Sequence, residues 1–303
     1  MRFLLVGQAV ADVVVRPAGS FPRREHTELV DEIGLFPGGC TLNTALALKK
    51  LGFTPDVVTK VGRDALGEFL MREMERAGLP TDMVEVGGRT SACLVLVGSD
   101  GKRSFLYAPG ASEELEEGDL PEDLGAWDWV HASGVMKARR MDWGRFFRRA
   151  ESQGLVTSVG VEYDPDGMWE EKVRDILPLD YLFLNRLEGE RITGRRLPEE
   201  MAEVLRRWGA RTVLITLGKD GCYIYGEEEG YVPGFRVNEV DGTGAGDAFV
   251  AGFLAARARG WRLRDSALVA NACGASAVTK LGATAGVVGW EEVLRWVQSR
   301  RGR

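Results

Sequence analysis

Three glycines fall within five positions of Val240-Asp241-Gly242-Thr243-Gly244-Ala245-Gly246-Asp247-Ala248-Phe249, and the sequence beyond them turns helical. Phe249, Val250, Phe253 and Leu254 follow at i, i+1, i+4 and i+5, the spacing of one helix face. Glycine takes φ > 0 without steric cost, and the first turn of a helix leaves its amides without intrahelical partners. The macrodipole adds roughly half a positive charge there, so the segment predicts an anion site suited to an oxyanion or a phosphate. Asp247 stands in that first turn. A carboxylate is favoured at any helix N-terminus, so the residue reads as a terminal charge or as a general base facing a substrate over the glycines.

Other polar residues fall where the elements around them would aim them at one place. Phe3 to Val6 predicts a strand buried on both faces, and Asp12 follows it just before Val13-Val14-Val15, near a strand end where open α/β sheets hold ligands. Gly38-Gly39 opens a helix over residues 44–51, whose apolar face is Ala45, Leu46, Leu48 and Leu51 and whose stop is Gly52. A strand at Val57 to Lys60 precedes Gly62-Arg63-Asp64-Ala65-Leu66-Gly67, which starts a helix running to Arg76 with Gly78 as its end. Ser91 to Val97 and Ser104 to Tyr107 flank Ser99-Asp100-Gly101-Lys102, a tight-turn signal, and predict a small antiparallel sheet over about 13–35 and 89–110.

From Trp127 the chain alternates. Strands at Trp129 to Ala132, Thr157 to Val161 and Tyr181 to Leu184 are separated by helices at Phe146 to Gln153 and Val173 to Leu177, a β-α-β pattern that predicts a mostly parallel sheet. His131 stands at one strand end before Ser133-Gly134, as a pocket residue or a buried structural one. At another strand end, Asn185 and Glu188 are spaced by three, which suits hydrated Mg²⁺ near phosphates or a helix capping box. Val213 to Thr216 and Cys222 to Tyr225 are strands joined by Leu217-Gly218-Lys219-Asp220-Gly221, a turn that lets backbone approach a nucleotide. Ala270-Asn271-Ala272 begins an alanine-rich helix. The expectation is an α/β chain, doubly wound, with helices on both faces of the sheet and a small β lid, residues 1–303 forming a single domain.

These motifs resemble the ribokinase-like sugar kinase family, also called the PfkB family. Its signature, roughly Asp-Thr-x-Gly-Ala-Gly-Asp, is similar to Asp241 to Asp247, and its Gly-Gly-x-x-x-Asn-x-Ala is similar to Gly38 to Ala45. Gly62 to Gly67 matches its Gly-x-Asp-x-x-Gly turn, and Thr216 to Gly221 its Thr-x-Gly-x-x-Gly nucleotide loop. The resemblance runs from about residue 3 to 286. It implies ATP-dependent transfer of the γ-phosphoryl group to a hydroxyl of a small sugar, with Asp247 as base and the amides of Gly244, Ala245 and Gly246 as anion hole. It implies sugar contacts at Asp12, Gly38, Gly39, Asn43 and Ser133, and nucleotide contacts at Asn185, Thr216, Gly218, Gly221, Gly246 and Asn271. Mg²⁺ would lie near Asn185 and Glu188. A monovalent cation such as K⁺ would be ringed by the Asp241 carboxylate and carbonyls near Thr243, Ala277, Lys280, Gly282 and Gly286.

In the family the lid covers the sugar, keeps the γ-phosphoryl group from water and often forms a homodimer contact. Two departures stand out. A serine commonly ends the cation ring where Gly286 stands, and an aspartate is frequent where Gly160 stands. Tyr107-Ala108-Pro109-Gly110-Ala111-Ser112 is similar to the Gly-Ala-Asn of ribokinase-type members and lacks the tyrosine-arginine run of ketodeoxygluconate kinases. Ribose, fructose, another hexose, a sugar acid or a nucleoside all stay open as acceptors, and Arg103 or Arg139 would suit a phosphorylated sugar.

Composition narrows the field further. A net charge of −6 over 303 residues disfavours a general nucleic-acid or membrane binder. Cys40, Cys93, Cys222 and Cys273 form no Cys-x-x-Cys pair and read as reduced, mostly buried thiols; with His26 and His131 as the only histidines, a Cys/His zinc site is not expected. Met1 to Ala11 carries one arginine and is interrupted by Gly7 and Gln8, so it reads as a buried strand rather than an export signal, and a cytoplasmic enzyme is expected. No apolar run reaches the ~18 residues of a membrane span. Arg300-Arg301-Gly302-Arg303 reads as a solvated tail. Gly-x-Gly-x-x-Gly after the first strand, a P-loop and Gly-x-Ser-x-Gly are all absent, which removes dinucleotide oxidoreductases, P-loop enzymes and serine hydrolases. A non-catalytic sugar or nucleotide sensor on the same fold is opposed by intact Asp247, Asn185 and Glu188.

Overall fold

The computed structural model describes residues 1–16, 25, 27–98 and 103–301; the turn expected at Ser99 to Lys102 and the last two residues of the basic tail lie outside them. The first strand, β1 (Phe3–Gly7), is buried along its whole length. Alternation sends Phe3 and Leu5 into one core and Leu4 and Val6 into another, on opposite faces of the sheet. After β1 come β2 (Val10–Arg16), β3 (Glu32–Gly38), α1 (Cys40–Lys50), β4 (Asp56–Val61), α2 (Ala65–Arg76), β5 (Val84–Val86), β6 (Ala92–Val97) and β7 (Arg103–Ala108). The alternating half follows as β8 (Trp129–Ser133), α3 (Trp143–Ser152), β9 (Val156–Gly160), α4 (Trp169–Ile176), β10 (Leu179–Asn185), α5 (Arg186–Thr193), α6 (Pro198–Trp208) and β11 (Ala210–Thr216). The chain closes with β12 (Gly221–Tyr225), β13 (Glu229–Pro233), α7 (Ala245–Ala258), α8 (Leu263–Ala277) and α9 (Trp290–Arg301).

The main sheet has the order β13-β12-β11-β10-β9-β8-β1-β4-β5, parallel from β5 to β11 and antiparallel only in its last two strands. Helices α1, α7, α8 and α9 share a core with Phe3 and Leu5, whereas α3 to α6 share one with Leu4 and Val6. The doubly wound, mostly parallel arrangement expected from the alternation is therefore present. Asp64 caps α2 by accepting from Gly67 N at 2.9 Å, and Asp142 caps α3 by accepting from Arg145 N, starting that helix at Trp143 rather than Phe146. Helix α8 likewise begins at Leu263, seven residues before the alanine run at Ala270.

A second sheet, β3-β2-β6-β7, stands off the main one as a lid. It is mixed rather than antiparallel throughout, because β2 and β6 pair in parallel. The reason lies in the main sheet: β2 follows β1 and β6 follows β5, and those two strands run the same way. Register sorts the lid's side chains. Asp12 stands opposite Phe36 and Cys93, and Cys93 opposite Tyr107, while Val13 stands opposite Leu35 and Leu94, and Leu94 opposite Leu106. One face thus carries Asp12 and Tyr107, and the other a row of aliphatic residues.

Candidate active site

Helix α7 starts at Gly244, whose φ of 74° is left-handed and whose missing Cβ would lie 2.2 Å from the Ala283 carbonyl oxygen. Only glycine fits that turn. Asp247 follows in the first turn of α7 and faces helix α1, which opens at Gly39 with φ 87° and packs against α7. The two helix starts meet where Asn43 Nδ2 donates to Asp247 Oδ2 at 2.8 Å. Burial lifts the Asp247 carboxyl to about 6, opposed by that hydrogen bond. A carboxylate so placed is ionised at neutral pH yet close enough to a working proton affinity to accept one. The Cys40 thiol is held well above its usual range by burial and by Asp247.

These groups floor a cavity of ≈ 520 Å³ at the C-terminal ends of the parallel strands, where open α/β sheets bind ligands. Gly39, Asn43, Ser133, Asn185, Glu188, Thr216, Thr243, Gly244, Ala245, Gly246 and Asp247 line it, as does Asp12 from the lid. Asp12 is pushed to about 7, first by burial and then by the charges of Asp247 and Asp241. Gly38 does not line this cavity; the Asp12 side chain packs over it, since a Cβ there would stand 2.0 Å from Asp12 Oδ2. Along β7 the period of two turns Arg103, Phe105 and Tyr107 inward. His131 is fully buried between Ser158 Oγ (2.9 Å) and Ser133 Oγ (3.1 Å), and burial lowers its pKa to about 3. It is a neutral structural residue that fixes Ser133.

A second cavity of ≈ 610 Å³ shares Asn185 and Thr216 with the first and is also lined by Gly218. Gly221 and Asn271 line neither: Gly221 packs against Val232 O with φ 104°, and Asn271 Nδ2 donates to Val232 O and Pro233 O. Asn185 and Glu188 form the capping box of α5, Asn185 Oδ1 accepting from Glu188 N at 2.9 Å and Glu188 Oε2 accepting from Asn185 N at 2.7 Å. The box leaves Glu188 Oε1 for a ligand. Burial raises Glu188 to about 8, so a divalent cation would be needed to keep it fully ionised. Hard oxygen donors beside an anion site suit Mg²⁺.

Residues 2–288 match the pfkB family carbohydrate kinase domain. The chain belongs to that family. It is similar to 2-dehydro-3-deoxygluconokinase of Bacillus subtilis (27% identical; 87% of each chain covered) and to fructokinase-2 of Oryza sativa subsp. japonica (32% identical; 82% of this chain and 80% of that one). An E. coli protein assigned as ribokinase II and solved with ATP and Mg²⁺ has the same fold, at TM-score 0.86 and 21% identity over 98% of this chain and 99% of that one. The protein is thus a carbohydrate kinase of the PfkB type.

In this PfkB chain the loop beside the start of α7 is already well supplied with charge. Asp241 is buried; its Oδ1 accepts from Thr243 N and Thr243 Oγ1, its Oδ2 from Gly282 N at 2.8 Å, and Arg103 of the lid approaches to 3.6 Å. Arg103 also donates to Thr243 Oγ1 at 2.7 Å. Lys50 Nζ reaches the same loop from α1, donating to the Thr284 and Val287 carbonyls. Ala277, Lys280, Gly282 and Gly286 surround this loop without lining either cavity. A Cβ on Gly286 would stand 2.4 Å from the Ala277 and Ser276 carbonyl oxygens, so a serine in its place would need a different backbone path. Arg139, the other arginine weighed for a phosphate, pairs instead with Asp166 at 2.5 Å. Gln8, Lys137, Glu162 and Phe105, which belong to no recognisable sequence motif, also line the first cavity.

Proposed function

We propose that this carbohydrate kinase transfers the γ-phosphoryl group of ATP to a hydroxyl of a small sugar. The observation that carries the reading is the meeting of Asp247 and Asn43 at the N-terminus of α7, on the floor of one cavity. Asp247 takes the proton of the attacking hydroxyl. The amides of Gly244, Ala245 and Gly246 hold the charge of the transferring group, and Asn43 fixes the carboxylate for in-line approach. Asp12 and Ser133 hold sugar hydroxyls, while Thr216 and Gly218 line the nucleotide side. Asn185 and Glu188 would hold Mg²⁺, which when bound neutralises phosphate charge. A coupled ADP-release assay over a panel of sugars tests the reading, and ligand binding without turnover on every sugar would make the protein a sensor instead.

Two results are expected. Since Asp247 must be ionised to accept a proton and its pKa stands near 6, kcat/KM should fall about tenfold per pH unit below that value and level off above it. A profile flat down to pH 5 would remove Asp247 as the base. Glu188→Gln keeps the capping box, because glutamine also accepts at that position, but it removes the charge. The Mg²⁺ concentration for half-maximal activity should rise at least ~10-fold without a fall in Tm, on the scale of a lost ligand-shell group. An unchanged Mg²⁺ requirement would assign Glu188 to the helix cap alone.

The outer lid face supports a homodimer. Ile33 and Leu35 of β3 and Leu106 of β7 are exposed beside Val13 and Leu94, an aliphatic row across all four strands. Light scattering measures the mass directly.

A further inference from the structure

The acceptor end of the cavity holds a cluster of charged and polar side chains, Gln8, Lys137 and Glu162. Glu162 lies two residues beyond the end of β9 and Lys137 four beyond the end of β8, and both line the cavity from C-terminal strand ends. Glu162 is 7% exposed. Its Oε2 accepts from Lys137 Nζ at 3.1 Å, while its Oε1 is buried with no hydrogen-bond partner. Lys137 Nζ also donates to Gln8 Oε1 at 3.4 Å, and Gln8 Nε2 donates to the hydroxyl of Tyr107 on the lid at 3.2 Å. Main sheet and lid are thereby joined through one chain of polar atoms.

A buried carboxylate oxygen without a donor is costly, and a bound molecule that brings an O–H removes the cost. The charges around it decide what else that molecule can carry. Asp12, Glu162 and Asp247 line the same cavity, against Lys137, which Glu162 already neutralises. Arg103, the other lining cation, is committed to Thr243 and Asp241 beside the start of α7. A carboxylate or phosphate on the acceptor would enter a region whose unpaired charge, carried by Asp247 and in part by Asp12, is negative, and like charge at close range is disfavoured.

Resting on the kinase reading above, we propose that Glu162, held by Lys137, binds a hydroxyl of the acceptor through Oε1 and restricts the acceptor to uncharged sugars. Sugar acids and sugar phosphates are excluded by the same carboxylates. A site built to pair a hydroxyl discriminates sharply against ligands that leave it unpaired.

The test compares D-fructose and D-ribose with 2-dehydro-3-deoxygluconate and fructose 6-phosphate. It uses ADP release, and titration calorimetry on the complex with a non-hydrolysable ATP analogue. Wild type is expected to favour a neutral sugar over both anions by at least ~100-fold in kcat/KM. In Glu162→Gln, KM for that sugar should rise at least ~10-fold, more than kcat falls, and discrimination against 2-dehydro-3-deoxygluconate should narrow. The double variant Glu162→Gln/Lys137→Met leaves no uncompensated charge and should show the same KM increase with a cooperative melt, which separates binding from misfolding. Preferred turnover of either anion by wild type, or an unchanged KM in both variants, overturns the proposal and leaves the kinase reading standing. Calorimetric binding of neutral sugars without turnover overturns the kinase reading and leaves the Glu162 assignment standing. Binding of none of the four overturns the Glu162 proposal and leaves the kinase reading standing.

Discussion

Asp247→Asn is expected to fold, to bind ATP and sugar, and to phosphorylate the sugar ~10²–10⁴-fold more slowly, the range for a lost general base. Asparagine has nearly the same shape, and its carbonyl oxygen can still accept from Asn43 Nδ2, so the contact between α1 and α7 survives. What disappears is the ability to take a proton. Tm gives the discriminating second measurement. Burial makes the ionised form of Asp247 unfavourable, so its removal should leave Tm unchanged or raise it. If Asp247 merely complemented the helix dipole, the opposite pair of results would follow: a lower Tm and turnover close to wild type. Residual turnover in the variant would measure what the anion hole and positioning supply without the base.

The glycine run was legible because its chemistry is local. Gly244, Gly246 and Asp247 sit within four positions, and a helix start makes a fixed object of them. The pairing that completes the floor was not, since Asn43 and Asp247 are separated by 204 positions and only the packing of α1 on α7 brings them together. Asn185 and Glu188 show a different limit. Their spacing serves a capping box and a cation equally, and the fold realises the box while turning both residues toward the cavity. Lys137 and Glu162 carried no signal, because each is one charged residue among several in a loop after a different strand, and their pairing depends on β8 and β9 being neighbours.

The lid shows why pattern and pairing are separate problems. Alternation along β7 suffices to put Arg103, Phe105 and Tyr107 on one face, and that much is in the sequence. Whether β6 pairs with β2 in parallel depends on the direction each inherits from the main sheet, which no window of neighbouring residues encodes. The same applies to Arg103, whose reach to Thr243 and Asp241 crosses from the lid to the loop before α7. An arginine that looked available for a substrate phosphate is thus engaged by the protein itself.

Gly244→Ala is expected to cost ~10²–10³-fold in kcat, comparable to removal of an oxyanion donor, and to lower Tm as well. The added methyl would stand 2.2 Å from the Ala283 oxygen and 2.7 Å from its carbonyl carbon, both backbone atoms that cannot rotate away. The left-handed φ of 74° adds strain of about 1–3 kcal/mol for a residue with a Cβ. Relief requires that the Gly282 to Gly286 loop move or that the first turn of α7 re-aim, and the second choice tilts the amides of Ala245 to Asp247 off the phosphoryl position. Gly246→Ala provides the comparison. Its Cβ meets nothing within 4 Å and its φ is not left-handed, so its Tm should match or exceed wild type. Wild-type kcat in Gly244→Ala, measured by ADP release on the preferred sugar, would mean that the amides of this turn do not hold the transferring charge.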